Sequence, residues 1–232
     1  MRLPIVAIHG WGAHQGFFQS LSARLEREVI AVDLPGHGHA LNESFPGQEE
    51  RLAGYLLEGM PAKAVWLGWS LGGTIVQQIE SVAPERFAAS IKLCATPCFI
   101  RKQDWPCGMA AETAEEFARQ LSEDAASTLM AYYRQLCLAE KAPRKMLQQV
   151  EQLLQEYPQP AGEVLIAALQ LLHLSDQRKN LITLEYPSLW IWGEQDPIVT
   201  RFIYDQPSTG VERHSVIPGT GHLPHLSKPE LV

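Results

Sequence analysis

The sequence has no hydrophobic run long enough to cross a membrane and no excess of basic residues. Its first apolar run, residues 3–8, ends at His9 and Gly10, whereas a membrane-spanning helix needs about 20 apolar residues. The same run is too short for a secretory signal peptide and lacks the cleavage pattern. The formal net charge is −7, which argues against general binding to nucleic acid. We therefore expect a cytoplasmic protein that binds neither a membrane nor nucleic acid.

Cysteine is scarce, with four residues at positions 94, 98, 107 and 137. Because no export signal is recognised, we expect these residues to be thiols in a reducing compartment. The spacing of Cys94 and Cys98 lacks the second pair that a structural zinc site needs. The sequence therefore predicts no metal site, and we interpret the cysteines as packing residues.

Internal repeats, low-complexity segments and runs of like charge are also absent. Their absence argues against a repeat architecture and against a disordered chain. A chain of 232 residues is long enough to bury a sizeable core within one domain. We expect one domain, with or without an insertion, and a monomer.

A serine between two glycines is the most informative motif that is present. The chain reads Gly-Trp-Ser-Leu-Gly over 68–72, which is the spacing of a nucleophile elbow, where glycines remove side chains that would collide in the turn. An apolar run at 64–67 predicts a buried strand before Ser70, and apolar residues at helical spacing follow before Pro84. The motif alone would also fit an ordinary Gly/Ser turn.

Strand-like and helix-like segments alternate on both sides of this motif. The predicted strands cover residues 3–8, 29–32, 64–67, 91–94, 188–192 and 215–217. Such alternation is typical of an α/β fold with a mostly parallel sheet flanked by helices.

The alternation stops between residues 97 and 175, where the pattern becomes helical. Four residues of this region, Leu129, Tyr132, Tyr133 and Leu136, recur at the spacing of one helix face. Ligands of open α/β sheets bind beyond the carboxyl ends of the strands, where such an insertion would lie. We therefore predict a core of residues 1–96 and 176–232, with a helical lid over 97–175.

A serine nucleophile needs a base to take its proton and a third group to orient that base. Asp196 follows the predicted strand 188–192, and His222 follows the last predicted strand. We interpret Ser70, His222 and Asp196 as a catalytic triad. Glu194 is the alternative carboxylate and His225 the alternative base, although a surface position is the usual one for such a histidine.

The tetrahedral intermediate also needs donors for its oxyanion. The backbone N–H of Leu71, directly after the nucleophile, is one candidate, and the N–H of Trp11 after the first strand is the second. We expect the Trp11 indole to wall the pocket beside Trp69, although packing beneath the loop would explain it equally well. His9 is interpreted as a residue that fixes this loop.

With these residues in place, the chain resembles the α/β-hydrolase superfamily over nearly its whole length. Within it, the chain is similar to the family of methyl ester esterases that act on pimeloyl-[acyl-carrier protein] in biotin synthesis. The residues that carry this second resemblance are 66–73, 84–86, 96–99 and 104–106.

The resemblance implies hydrolysis of that methyl ester by a serine carboxylesterase that forms an acyl-enzyme, without a cofactor. It also implies substrate contacts from Trp11, Ser70, Leu71 and His222, and from a lid segment made up of Tyr132, Tyr133, Arg134, Gln135 and Leu136. A general short-chain carboxylesterase, a C–C bond hydrolase and a cofactor-free haloperoxidase remain alternatives, as does a binding module without turnover.

The resemblance implies an acyl-carrier protein as partner. Carrier proteins are acidic, and this chain is acidic too, so docking needs a local basic surface. The segment 134–145 contains Arg134, Lys141, Arg144 and Lys145 against the single acidic residue Glu140. A solvated helix end would be the alternative explanation, because Lys and Arg favour helix C-termini.

Overall fold

The computed structural model describes residues 2–179, 185–199 and 212–232. Within these ranges it contains a six-stranded sheet of order β2-β1-β3-β4-β5-β6, in which every neighbouring pair is parallel. The strands are β1 (Ile5–Ile8), β2 (Val29–Val32), β3 (Ala64–Trp69), β4 (Phe87–Leu93), β5 (Ser188–Gly193) and β6 (Glu212–Ile217). The predicted α/β fold with a mostly parallel sheet is therefore confirmed.

Helices cover the sheet and also fill the chain between β4 and β5. They are α1 (Gln19–Ser22), α2 (Glu49–Leu57), α3 (Leu71–Val82), α4 (Ala111–Glu123), α5 (Ala125–Leu138), α6 (Pro143–Gln155), α7 (Gly162–Leu174) and α8 (Pro224–Ser227). Four of them, α4 to α7, follow one another without a strand. The bounds of the predicted lid, 97–175, stay a prediction, and we use the name lid for that segment.

Two strands begin earlier than their sequence pattern predicts. β4 begins at Phe87 rather than at residue 91, because small and polar residues such as Ser90 interrupt its apolar pattern. β6 begins at residue 212 rather than at 215. It forms one edge of the sheet, where polar residues are tolerated on the solvent side.

A buried lysine explains part of the irregular pattern of β4. The ammonium of Lys92 lies 2.5 Å from Glu80 on α3, and it donates to the hydroxyls of Ser90 at 2.7 Å and Ser188 at 2.9 Å. Both charged side chains are buried, and a buried charge is tolerated when it is paired and hydrogen bonded. This cluster joins helix α3 to strands β4 and β5.

The described part of the chain contains no helix that is both long and apolar enough to span a lipid bilayer. The four cysteines are buried thiols, which agrees with their interpretation as packing residues.

Candidate active site

Ser70 lies at the sharp turn between β3 and α3. Its backbone has a φ of 55°, a conformation that costs free energy for any residue with a Cβ atom. A Cβ at Gly68 would lie 2.2 Å from the carbonyl oxygen of Gly72, and a Cβ at Gly72 would lie 2.1 Å from that of Ile8. The two glycines of the motif are therefore required by the close approach of backbones, as predicted for an elbow.

His222 and Asp196 complete a hydrogen-bonded chain with this serine. The Nε2 atom of His222 lies 2.9 Å from the Oγ of Ser70. Its Nδ1 lies 2.8 Å from the Oδ2 of Asp196. An ionised carboxylate only accepts hydrogen bonds, so Nδ1 carries the proton and Nε2 is left to accept from the serine hydroxyl.

The backbone of the following loop holds the second oxygen of Asp196. Oδ1 accepts hydrogen bonds from the N–H groups of Ile198 at 2.8 Å and Val199 at 3.0 Å. The alternative carboxylate, Glu194, is exposed and instead accepts from the N–H of Gly219 at 2.9 Å. The geometry brings Asp196, and not Glu194, to His222.

His225 does not have the surface position that we expected. It is fully buried on α8, where its ring lies 4.5 Å from that of Trp69 and 5.6 Å from that of Phe18. Burial lowers the pKa of His225 to about 3, so the ring is neutral. The prediction was wrong because α8 packs against the amino-terminal helices. The sequence of a four-residue helix does not indicate that contact.

The two predicted oxyanion donors, Leu71 and Trp11, directly follow Ser70 and the loop start after β1. Leu71 is the first residue of α3, and the first N–H groups of a helix have no partner within it. Trp11 follows β1, and its carbonyl oxygen accepts a 3.0 Å hydrogen bond from the hydroxyl of Tyr133. Its indole N–H donates to the carbonyl of Leu165 at 2.9 Å. Two lid helices, α5 and α7, therefore fix the peptide and the side chain of Trp11.

His9 also fixes this loop, in agreement with its interpretation. Its Nε2 accepts from the N–H of Leu34 at 3.0 Å, and its Nδ1 lies 2.8 Å from the carbonyl of Gly10. Burial lowers the pKa of His9 well below its usual value. The ring is therefore neutral, donates through Nδ1 and has no contact with Ser70 among its hydrogen bonds.

A cavity of about 250 Å³ opens beside Ser70. Four residues predicted to touch substrate line it, namely Trp11, Ser70, Tyr132 and Gln135. Most of the remaining lining is apolar. The remaining lining residues, polar ones included, are Phe99, Arg101, Gly108, Met109, Thr113, Phe117, Leu169, Leu172, His173, Pro197 and Ile198.

Three residues of the predicted lid contact segment do not line this cavity. Tyr133 and Leu136 are fully buried, one helical position from the residues that face the cavity, and Arg134 points to solvent. Leu71 and His222 are likewise buried behind Ser70 and do not line the cavity. The resemblance indicated a continuous segment, whereas an α-helix presents only every third or fourth residue to one side.

Trp69 also differs from its expected place as a pocket wall. Its indole N–H donates to the carbonyl of His222 at 2.9 Å, and its ring stacks on Phe17 with centroids 5.5 Å apart. Trp11 walls the pocket as expected, with its ring 5.2 Å from that of Tyr132. Trp69 thus supports the backbone of His222 from below.

Most of the lining residues were missed from the sequence. Pro197 and Ile198 directly follow Asp196, and Phe99 lies in the segment that carries the family resemblance, so these three had a usable signal. Phe117 on α4, and Leu169 and His173 on α7, had none, because amphipathic spacing does not tell which neighbour a helix face meets.

Tyr132 lies against Ser70 inside the cavity. Burial, and then the negative charge of Asp196, raise the pKa of the Tyr132 phenol, while its contact with Ser70 acts in the opposite direction. The phenol is therefore neutral at all ordinary pH values and adds no charge beside Ser70.

Cys94 lies beside Asp196 and His222. Its sulfur and one atom of each of these two side chains lie within 4.8 Å of one another. Such a set of residue types can hold a metal ion. Here Asp196 and His222 are already joined to each other by a hydrogen bond, and burial raises the pKa of the Cys94 thiol well above its usual value. The thiol is neutral, and the arrangement is that of a hydrogen-bonded triad.

Known proteins resemble this chain in both sequence and structure. A model of the Alpha/beta hydrolase family matches residues 5–232. The pimeloyl-[acyl-carrier protein] methyl ester esterase of Pectobacterium carotovorum subsp. carotovorum (strain PC1) is 34% identical over 97% of this chain and 89% of its own length. The protein of the same name from Xylella fastidiosa (strain M23) is 33% identical over 96% of this chain and 89% of its own length.

Solved structures give the same fold at lower sequence identity. An esterase from Exiguobacterium antarcticum has a TM-score of 0.85 and 20% identity, and covers 99% of this chain and 88% of its own. A bromoperoxidase from Bacillus anthracis has a TM-score of 0.85 and 19% identity, with the same coverage. Because esterases and a bromoperoxidase share this architecture, the fold alone does not decide the reaction.

Proposed function

This chain belongs to the alpha/beta hydrolase family, and from that premise we propose that it is a serine carboxylesterase that hydrolyses the methyl ester of pimeloyl-[acyl-carrier protein]. The observation that carries the proposal is the hydrogen-bonded chain from Ser70 through His222 to Asp196 at the wall of an apolar cavity. Relatives at 33–34% identity over nearly the whole chain have that activity in their names. They favour a methyl ester over the other substrates that such a triad can attack.

Acylation begins when His222 Nε2 takes the proton of the Ser70 hydroxyl. The serine oxygen forms a bond to the ester carbonyl carbon, and the carbonyl oxygen gains the negative charge. The backbone N–H groups of Leu71 and Trp11 donate to that oxyanion. When the tetrahedral intermediate collapses, the bond to the methoxy group breaks, and the proton on His222 leaves with methanol.

Deacylation repeats these steps with water as the nucleophile. His222 takes one proton from water, and the resulting hydroxide attacks the acyl-enzyme. Collapse returns the proton to the Ser70 oxygen and releases a free carboxylate. Throughout both halves, the carboxylate of Asp196 holds the Nδ1 proton and stabilises the imidazolium that forms.

The cavity suits a linear, apolar acyl chain. Its volume of about 250 Å³ lies below the range of roughly 300–1,000 Å³ that drug-sized ligands occupy. Aromatic and aliphatic side chains make up most of its walls, while the polar side chains of Arg101, Gln135 and His173 offer contacts to a polar group on the chain. A pimeloyl chain has both features, because methylene groups separate its two acyl ends.

Phe117→Ala is expected to shift the preference of the enzyme toward longer acyl esters. Phe117 lines the cavity and packs its ring 5.4 Å from that of Trp11, so truncation lengthens or widens the space beside the nucleophile. We expect the ratio of kcat/KM for an ester longer by two methylenes to that for the original ester to rise by about 15-fold, since each buried methylene is worth ~0.8 kcal/mol. A series of methyl esters of increasing chain length measures the ratio.

Phe45→Ala is the matched control, because Phe45 is also half-buried but packs beside His37, away from the cavity. An unchanged profile in both variants would mean that Phe117 packs the lid without contacting the acyl chain.

The basic segment 134–145 gains support as a docking surface for the acidic carrier. Arg134, Lys141, Arg144 and Lys145 are all exposed, whereas Glu140, the one acidic residue among them, is buried. The segment therefore presents cations alone to solvent. Arg144 and Lys145 lie in the first turn of α6, where the helix dipole disfavours positive charge, so helix stabilisation does not account for these two residues.

Replacing Arg144 and Lys145 together with glutamate is expected to raise KM for the carrier-bound methyl ester by at least tenfold. Opposite charges steer an acidic partner to this surface, and reversal replaces attraction with repulsion. The kcat for a small free methyl ester should not change. The difference between the two substrates should shrink as salt is added, because exposed charges are screened.

Lys63→Glu together with Arg24→Glu is the matched control, since it makes the same change of charge at exposed residues outside the lid. Equal kinetics of the lid variant on both substrates would remove the carrier from this surface. Expression in a biotin-requiring strain that lacks its own esterase tests the pathway. Growth without biotin supports the proposed substrate, whereas failure together with activity on free esters would leave a general short-chain carboxylesterase.

A further inference from the structure

A buried carboxylate from the lid holds the backbone on both sides of His222. Glu140 follows the carboxyl end of α5, and one of its oxygens, Oε1, accepts hydrogen bonds from the N–H groups of Gly221 at 3.0 Å and Leu223 at 3.1 Å. These two residues flank the histidine. Glu140 is 4% exposed, although it lies within the most basic stretch of the lid.

Gly221 packs closely against the residues that follow α5, so this part of the lid contacts the loop of His222. A Cβ atom at Gly221 would lie 2.9 Å from the Cβ of Ala139 and 3.1 Å from Oε1 of Glu140. Only glycine leaves room for the end of α5 at this point. The loop that carries His222 is therefore shaped to receive Glu140.

The position of Glu140 is energetically unfavourable for a group that only fills space. Burial raises the pKa of Glu140, and the contact with the Ser227 side chain and the hydrogen bonds from Leu223 and Gly221 act in the opposite direction. Its second oxygen, Oε2, is buried and has no hydrogen-bond partner among the described residues. A buried, half-satisfied carboxylate costs free energy, so stability alone is a poor explanation for it.

We propose that Glu140 is a positioning residue that sets the place of His222 between Ser70 and Asp196. The side chain of His222 is fixed through Nδ1 by Asp196, and its carbonyl by the indole of Trp69. Glu140 fixes the two adjacent peptide groups through charge-assisted hydrogen bonds, which are about twice as strong as neutral ones. The inference rests on the proposed serine esterase function, for which His222 is the base.

Helix α5 then contributes to catalysis at three points. Tyr132 lines the cavity, Tyr133 donates to the carbonyl of Trp11, and Glu140 follows its end and holds the loop of His222. One lid element therefore sets the position of the substrate wall, of one oxyanion donor and of the base. The base has its working geometry only while the end of α5 is seated on Gly221.

Glu140→Ala is expected to lower kcat for a small free methyl ester by about 10²-fold with little change in KM, because a displacement of about 1 Å at a catalytic group has that effect. Glu194→Ala is the matched control. This change removes another carboxylate that accepts from a backbone N–H group. The donor, Gly219, lies on the same loop as His222, and Glu194 itself lies outside the triad. We expect its kcat within about twofold of the unmodified enzyme. Glu140→Gln keeps an oxygen acceptor without the charge and should recover part of kcat.

A second readout does not depend on turnover. The proton between His222 Nδ1 and Asp196 gives a downfield ¹H NMR signal when the pair is held together, and we expect Glu140→Ala to broaden or remove it while Glu194→Ala retains it. If Glu140→Ala fails to fold, Glu140→Gln decides, because the proposal requires a lower kcat and a weaker signal there. A folded Glu140 variant with unchanged kcat and unchanged signal would overturn the proposal. An unmodified protein that hydrolyses no ester but shows the signal, and loses it in the Glu140 variants, would overturn the esterase function and leave the positioning role standing.

Discussion

Replacing Ser70 with alanine is expected to lower kcat for ester hydrolysis by about 10⁶-fold, the effect of removing a triad nucleophile. In the proposed mechanism the hydroxyl oxygen forms the acyl-enzyme, and the thiol beside Asp196 and His222, that of Cys94, is buried and neutral. Alanine and serine both have a Cβ atom, so the strained φ of 55° at this position costs a similar free energy in both proteins. We expect thermal unfolding of the variant to stay close to that of the unmodified enzyme.

Ser81→Ala provides the control for this experiment. Ser81 lies on α3, the helix that follows Ser70, and is exposed. Its hydroxyl donates to the carbonyl of Gln78 at 2.7 Å and does not contact the site. Steady-state hydrolysis of a short methyl ester measures both variants. Turnover by Ser70→Ala within tenfold of the control would contradict the assignment of the nucleophile, and with it the acyl-enzyme mechanism.

Asp196→Asn is expected to lower kcat by about 10⁴-fold, although the two side chains have nearly the same shape. The backbone N–H groups of Ile198 and Val199 point at Oδ1, so an asparagine places its carbonyl oxygen there. Its NH₂ group then occupies the position of Oδ2 and faces His222. A donor at that position favours the tautomer with the proton on Nε2, which cannot accept from the Ser70 hydroxyl.

Glu194→Gln is the matched control, since it makes the same chemical change two residues away. Glu194 accepts one hydrogen bond from Gly219 and is exposed, and we expect its kcat to fall less than threefold. If the two variants exchanged these effects, the third member of the triad would be Glu194. The pH dependence of kcat/KM is measured for both variants. It distinguishes a variant in which His222 no longer acts as the base from one in which His222 still acts as the base but is displaced.

The sequence was sufficient for the fold and for the three residues that the geometry joins at Ser70. A strand, a tight turn and a helix around Ser70 have local signals, because glycine spacing and apolar periodicity reflect contacts within a few residues. Asp196 and His222 could be found because each follows a strand in a parallel sheet, whose carboxyl ends meet at one edge. The sheet order itself depends on crossovers that no local pattern records.

Errors arose where a residue's environment depends on a distant element. Tyr133 and Leu136 share a helix with Tyr132, and only the packing of α5 on the core decides which of them faces the cavity. The burial of His225 depends on contacts with Phe18 and Trp69, and that of Glu140 on contacts with the loop around His222, and all of these partners lie far away in sequence. A charged residue in a basic stretch is expected at the surface, and Glu140 departs from this because two backbone N–H groups compensate part of its burial.

The buried cluster around Lys92 has a consequence for the order in which the chain folds. Lys92 and Glu80 are 12 positions apart, whereas Lys92 and Ser188 are 96 positions apart. Pairing of β5 with β4 must therefore wait until the long intervening chain has closed, and the entropy of that closure precedes any gain from the contact. Asp196 and His222 arrive with the segments that join after this closure, while Ser70 belongs to the part that can assemble first. Refolding should thus restore helical and strand content before it restores turnover, with the return of activity marking the closing step.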